Sequence, residues 1–257
     1  MIPKTINYCW FGEKEKPKSV KVCIESWKKF CPQYEIKEWN EDNFDLQCCD
    51  YVKEAAKEKK WAFVSDYARF WILYNYGGIY FDTDVEVIKS LDTIIKSGSF
   101  MACETQKTVN PGLGMATFPK SELYKRIIEF YSKQHFILND GSENLETVVT
   151  KVTSILRKLG FKGTGEIEKV SGIVIYPVEY FCPLNYTTGK LNITNETVAI
   201  HHFDESWHSN LEKLIVQIER GENSFSRKLL VLPLKLVNKI NKKGIKGTIK
   251  FIKSKYF

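Results

Sequence analysis

The chain predicts an α/β domain with a mostly parallel central sheet, and three features of the sequence carry that expectation. A strand, a helix and a second strand follow one another within the first 40 residues. A helix that is apolar nearly all round runs from Trp61 to Tyr76. Directly after it, Gly77-Gly78 leads into a short apolar strand that ends at two carboxylates, Asp82 and Asp84. Strands alternating with helices bury both faces of a sheet, the condition under which parallel strands are found.

Each element has its own warrant. Thr5-Ile6-Asn7-Tyr8-Cys9-Trp10 reads as a buried strand, ended by Gly12 and Pro17. Ser19 is placed to cap a helix with Val20, Cys23, Ile24 and Trp27 on its inner face, stopping before Pro32. Tyr34 to Trp39 alternates as a second strand. In the helix over 61–76, Phe63, Tyr67, Phe70 and Tyr74 form a stripe, with Ala62, Leu73 and Tyr76 beside it. The only charges there are Asp66 and Arg69, three apart and therefore on one face. Buried Asp and Arg are rare unless paired. They predict either an internal salt bridge or a pair reaching toward a polar ligand.

Gly77-Gly78 ends that helix, Ile79-Tyr80-Phe81 makes a short strand, and Val85 to Ile88 resumes as a strand. Further on, Ser121 to Tyr131 and Glu143 to Leu159 read as amphipathic helices. Ile173 to Tyr176 and Thr197 to His201 read as strands.

Composition narrows the class. The 257 residues are 43% hydrophobic and 27% charged, ordinary for a globular protein, with an aromatic share of 14% that asks for a large core or a stacking site. No apolar run approaches the roughly 20 residues that cross a bilayer. The opening Met1-Ile2-Pro3-Lys4 carries no signal-like apolar stretch, so a cytoplasmic location is expected. The seven cysteines lack the paired C-x-x-C spacing of a zinc site and are expected as reduced thiols. The net charge of +7 is uneven: from Ser224 onward there are ten basic residues and no acid, while the first 223 carry 28 basic and 31 acidic groups.

Asp82-Thr83-Asp84 is the motif that carries chemistry. Two residues apart in extended backbone, the carboxylates face one side. Close carboxylates repel unless a cation lies between them. Hard oxygen ligands suit Mg²⁺ or Mn²⁺, which leave positions open for phosphate oxygens. A cation so held neutralises a diphosphate as it leaves, the requirement for moving a sugar off a nucleotide diphosphate. Ligands of open α/β sheets bind beyond the carboxyl ends of the strands, where this motif is expected.

Phe63-Val64-Ser65-Asp66-Tyr67-Ala68-Arg69 and Leu73-Tyr74-Asn75-Tyr76-Gly77-Gly78-Ile79-Tyr80-Phe81-Asp82-Thr83-Asp84 resemble the DXD sugar-binding region of glycosyltransferase family 32. That family includes bacterial capsular and lipopolysaccharide transferases and fungal mannosyltransferases. Ile2 to Gly12 and Ser26-Trp27-Lys28 through Trp39-Asn40 are similar to the family as well, so the resemblance covers about the first 90 residues. It implies a GT-A fold, a nucleotide-sugar donor, a divalent cation and retention of anomeric configuration. By the same resemblance Asp82 contacts the donor ribose or sugar and helps set the metal, and Asp84 ligates it. Asp66 and Arg69 match positions that hold sugar hydroxyls and diphosphate in the related glucosylating toxins, and Trp10 matches a tryptophan that stacks on the base. Family members often finish on a His…Ser-Trp run, here His201-His202-Phe203-Asp204-Glu205-Ser206-Trp207. It adds Ser206 and Trp207 at the donor and one histidine at the metal; His202 is favoured, although alternation does not decide between the neighbours.

The chain is thus read as one GT-A domain, with a nucleotide-sugar half over 1–105 and an acceptor half over 106–210, followed by a basic tail over 211–257. In the tail Leu229, Leu232, Leu236 and Ile240 recur at helical spacing beside Lys239 and Lys243. Such a basic amphipathic segment suits an anionic membrane surface, the inner face of the cytoplasmic membrane, where a lipid-linked acceptor would lie. The alternative is a solvated helix packed on the body. Nucleic acid is not an expected partner, because the body is slightly acidic. Two other functions fit less of the sequence. A haloacid-dehalogenase-like phosphatase also uses D-x-D, but Glu86 stands where that signature has Thr or Val. A catalytically silent nucleotide-sugar binder would not need the intact Asp82/Asp84 pair.

Overall fold

The computed structural model describes residues 1–204 and isolated positions between 211 and 237. The first strand, β1 (Thr5–Cys9), is followed by α1 (Lys18–Phe30), β2 (Glu35–Trp39), α2 (Asp50–Lys57) and α3 (Trp61–Tyr76). Then come β3 (Gly78–Tyr80), β4 (Val85–Val87), α4 (Asp92–Lys96), β5 (Phe100–Thr105), β6 (Thr108–Val109) and β7 (Met115–Thr117). The remaining elements are α5 (Glu122–Ser132), α6 (Val148–Lys158), β8 (Glu168–Val170), β9 (Ile173–Tyr176), α7 (Val178–Phe181) and β10 (Ala199–His201).

Eight strands form the main sheet in the order β2-β1-β3-β7-β5-β9-β8, with β6 paired to β5. Strands β1, β2, β3, β5 and β9 run in one direction, and β6, β7 and β8 run against them. This is the α/β class with a mostly parallel sheet that the sequence predicts. β1, α1 and β2 form a parallel strand–helix–strand unit, Thr5 opposite Glu35 and Cys9 opposite Trp39. Helix α3 lies across β1, β3 and β7 with α2 and α5 against it, so most of its apolar surface is covered, with Tyr76 at its end exposed.

Two elements differ from the sequence expectation. Helix α1 begins after Pro17 rather than Ser19, and Pro17 takes the cap position with its carbonyl accepting from Lys21 N at 3.2 Å. Proline starts a helix well because its fixed φ suits the first turn and its missing N–H is not needed there. Helix α6 begins at Val148 rather than Glu143, since Thr147 accepts from Thr150 N and caps it.

Residues Met1–Leu184 and Asn192–His202 make one compact unit. The other takes in Asn185–Leu191 and the chain from Phe203 onward. In it, Asn185 Oδ1 accepts from the backbone N–H groups of Thr187 and Thr188, and the rings of Tyr186 and Phe203 meet at 5.1 Å. No helix among the described residues is long and apolar enough to cross a membrane. Leu229, Leu232, Leu236, Ile240, Lys239 and Lys243 of the expected tail helix lie outside the described residues.

Candidate active site

The site grows from the carboxyl ends of β1 and β3, which are parallel neighbours with Asn7 opposite Tyr80. Gly77 and Gly78 deliver the chain from α3 into β3 at φ +67° and +94°, a region that favours glycine. A Cβ on Gly78 would stand 2.6 Å from Thr5 O, so only glycine lets β3 lie this close to β1. Buried Asn7 ties the two strands, donating to Ile79 O at 3.1 Å and accepting from Trp39 Nε1 at 2.9 Å.

Past β3 the chain does not continue as a strand. Val85 N donates to Asp82 O at 3.2 Å, so Asp82 to Val85 is a turn. The extended backbone assumed for the motif is replaced because β4 leaves the main sheet and pairs with β10 in a sheet of its own. Trp27, fully buried, anchors this exit by donating its indole N–H to Val85 O at 2.7 Å.

Asp66, Arg69 and Asp82 form one network. Arg69 Nη2 stands 3.0 Å from Asp66 Oδ1 and 3.2 Å from Asp82 Oδ1, and Nη1 is 3.4 Å from Asp82 Oδ2. Its Nε donates to Ser65 O at 3.1 Å, and the guanidinium lies 5.1 Å from the centre of the Tyr80 ring. Tyr80 Oη donates to Asp82 Oδ1 at 3.1 Å. Burial works against the charge of Arg69, but Asp82, Tyr80 and Asp66 outweigh it and hold the guanidinium above its ordinary range. Burial pushes Asp66 up to about 6, Asp82 adds to the rise, and Arg69 and Lys151 oppose it. Of the two sequence expectations for Asp66 and Arg69, the internal salt bridge is the one seen, and its arginine also reaches Asp82.

Asp84 faces a different partner. Strands β4 and β10 are antiparallel, with His201 opposite Val85, and His202 N donates to Asp84 O at 2.9 Å. His201 Nε2 stands 3.1 Å from Asp84 Oδ1, the histidine buried and the carboxylate partly so. His202 Nε2 lies 2.8 Å from Glu86 Oε2 instead. Neighbours on a strand point to opposite faces, which is why the two histidines separate. Burial disfavours a charged His201, yet Asp84, then Asp82 and Glu104, raise it above its ordinary value.

Trp10 stands at the end of β1, half-buried, its backbone N–H on Trp39 O at 2.8 Å and its indole N–H on Lys14 O at 2.6 Å. Lys16 Nζ is 6.0 Å from the ring centre. Asp66, Arg69 and Asp82 therefore meet through one helix and the end of β3, while Trp10 stands at the end of the neighbouring β1 and Asp84 follows Asp82 in the turn. Ser206 and Trp207 lie outside the described residues.

The segment from Asn110 to Gly114, expected within the acceptor half, borders Asp82 directly. Asp82 N donates to Gly112 O at 3.0 Å, and Gly112 presses on the Asp82 carboxylate. Tyr80, whose hydroxyl reaches Asp82, is marked by the sequence only as a strand residue. The signal for this turn is the run Asn-Pro-Gly-Leu-Gly. It marks a tight turn but not what the turn touches.

Among the described residues no group of three or more His, Cys, Asp or Glu side chains converges as a metal cage. The donor set still suits a hard divalent ion in one way. Mg²⁺ commonly takes one or two carboxylates and completes its shell with water and substrate phosphates.

Residues 17–101 match a family model described as a glycosyltransferase sugar-binding region containing a DXD motif. That stretch of the chain is thus similar to the sugar-binding region of DXD glycosyltransferases. The matched sugar-binding region contains Asp66, Arg69, Asp82 and Asp84. Among solved structures the chain is similar to PaToxG glycosyltransferase at 17% identity, over 61% of this chain and 69% of that one, with a TM-score of 0.44. It is similar to a glycosyltransferase involved in glycosylation of the major capsid of PBCV-1 at 11% identity, over 79% and 95%, TM-score 0.44. It is also similar to galactosyltransferase LgtC at 13% identity, over 88% and 95%, TM-score 0.44. No curated protein matches.

Proposed function

We propose that the chain is a metal-dependent, retaining hexosyltransferase acting on a nucleotide-diphosphate sugar. The acceptor in this reading is a saccharide, lipid-linked, in capsular or lipopolysaccharide synthesis. The observation that supports it most is the grip of Arg69 on Asp82, braced by Asp66, one turn from Asp84. A buried guanidinium between two carboxylates is preorganised, so it reorients little when charge develops nearby.

Each side chain has a part. Trp10 offers an aromatic face to the nucleobase, a contact worth about 1–3 kcal/mol in comparable stacking sites. Asp66 and Arg69 hold sugar hydroxyls and diphosphate, and Asp82 orients ribose or sugar. Ser206 and Trp207 remain proposed donor contacts. Asp84 and Asp82 would hold Mn²⁺ or Mg²⁺, which supplies positive charge to a departing diphosphate. The proximity of His201 to Asp84 favours it over His202 beside that ligand. Retention is read as front-face substitution, in which the leaving phosphate takes the acceptor hydroxyl's proton; trapping a glycosyl-enzyme ester would overturn that step. Both oxygens of Asp82 are engaged by Arg69, an arrangement that suits an orienting group better than a phosphatase nucleophile. The basic tail is assigned to an anionic membrane surface, so that the enzyme is peripheral at the inner face of the cytoplasmic membrane.

Thermal unfolding with UDP, GDP, CDP and dTDP, each with and without Mn²⁺, tests the donor site on wild type and Asp84→Asn. A nucleotide at a hundred times its dissociation constant stabilises by about 2.7 kcal/mol. The expected result is a shift with one base, dependent on Mn²⁺ and lost in the variant. Release of nucleoside diphosphate from the sugar donor separates an enzyme from a silent binder. No shift with any nucleotide would sink the reading.

A further inference from the structure

Glu104, near the end of β5, lies beyond the 17–101 sugar-binding match and has no place in the roles above. Its Oε2 accepts from Asn110 Nδ2 at 2.6 Å. The other end of that amide, Oδ1, accepts from Gly112 N at 2.7 Å. Gly112 in turn takes the backbone N–H of Asp82 on its carbonyl at 3.0 Å. A Cβ built on Gly112 would be 2.0 Å from Asp82 Oδ2. Four residues are thus in unbroken contact from a half-buried carboxylate to the motif.

The direction of the amide matters. Its two ends have nearly the same shape, and hydrogen bonds alone decide which way it points. An ionised carboxylate only accepts, so it admits the NH₂ end of Asn110 and leaves the oxygen for the Gly112 N–H. Reversed, the amide would set a donor against the Gly112 donor and an acceptor against Glu104. Asn110 is buried, 8% exposed, where water does not readily supply the missing partners.

We infer that Glu104 is a positioning residue for sugar transfer, acting through Asn110 and the Gly112 turn to hold the Asp82 carboxylate in place. The inference rests on the function proposed above. It assigns Glu104 no contact with substrate and no proton to move.

The test is steady-state turnover of the sugar donor by Glu104→Ala, Glu104→Gln, Asn110→Ala and the double variant Glu104→Ala/Asn110→Ala. Displacement of a positioned group by about 1 Å costs up to about 100-fold in rate. Glu104→Ala is expected to lower kcat at least about 10-fold while the donor KM moves less than about 3-fold, an effect confined to the reacting geometry. Glu104→Gln, whose carbonyl accepts in the same way, is expected to keep at least about a third of wild-type kcat. The double variant is expected to be no slower than Asn110→Ala alone, because residues that act in series are not additive. Should Glu104→Ala not fold, Asn110→Asp removes the same NH₂ donor without truncating Glu104 and is expected to be as slow. Glu104→Gln as slow as Glu104→Ala would overturn the inference, since the negative charge itself would then be at work. So would additive losses, or wild-type turnover by Glu104→Ala. A wild-type protein that turns over no nucleotide sugar overturns the proposed function and this inference with it.

Discussion

Gly112 leaves no room for a side chain beside Asp82, since a Cβ there would approach Asp82 Oδ2 to 2.0 Å. The carboxylate is also gripped by Arg69, so it has nowhere to retreat without breaking that pair. Gly112→Ala is therefore expected to cut donor turnover at least about 10-fold, within the range that misplacement of a reacting group produces. Gly112 is not at positive φ, so alanine adds no backbone strain, and any fall in the thermal midpoint reports the displaced Asp82–Arg69 pair. A fully active Gly112→Ala enzyme would show that Asp82 is free to move.

Arg69 neutralises two carboxylates from a position only 3% exposed. Arg69→Met removes the partner of both, and breaking a buried pair in this way costs about 3–5 kcal/mol. Arg69→Lys keeps the charge and loses the two-point grip on Asp82. Urea unfolding should order the three as wild type, Arg69→Lys, Arg69→Met, from most to least stable. Equal midpoints for Lys and Met would mean that charge is not what Arg69 supplies.

Asp66 gives a pH signature. Its carboxyl is raised from 3.8 to about 6 in the fold, by burial first and then by Asp82, against the pull of Arg69 and Lys151. A group raised in the fold stabilises it below the unfolded value, and that contribution is lost as pH rises through the folded one. Wild type should therefore lose stability relative to Asp66→Asn between pH 4 and pH 7, while Asp66→Asn turns over donor more slowly at pH 7. Denaturation midpoints at both pH values check this, and a difference that does not change with pH would refute it.

Trp27 reaches across from α1 to Val85 O, immediately after the motif. Trp27→Phe leaves that buried carbonyl without its indole donor, at a cost of about 1–3 kcal/mol, and removes ring volume besides. Lower stability is expected together with weaker nucleotide-dependent stabilisation, because the exit of the motif turn is no longer pinned. A stable variant with unchanged nucleotide response would remove Trp27 from the account.

Much of this was legible in the sequence where local signals were strong. Helix α3 runs from Trp61 to Tyr76 as read, because its apolar residues and the Gly77-Gly78 stop both mark its limits. Strand β9 matches at Ile173–Tyr176, a continuous apolar run. Asp66 and Arg69 pair as their spacing on one helix face suggests. Other features depend on residues distant in the chain. That β7 lies reversed between β3 and β5 follows from Gly78 pairing with Thr117 and Phe100 with Ala116, for which no local pattern codes. The contact of Gly112 with Asp82 is of the same kind, and a glycine in a turn signals only that the turn is tight. Nor did alternation along β10 reveal which histidine faces Asp84, because the answer lies in how Val85 pairs with His201.

Strand β10 closes on β4 with Val87 opposite Ala199. Contacts so far apart in sequence form late, since a long loop must be ordered before they contribute. Arg69, Asp66 and Asp82 belong to one stretch and to elements in direct contact, so they are able to assemble while the chain is still short. His201 reaches Asp84 only once some 200 residues have been made. On a ribosome the grip of Arg69 on Asp82 would thus precede the approach of His201 to Asp84, giving the site an order of maturation.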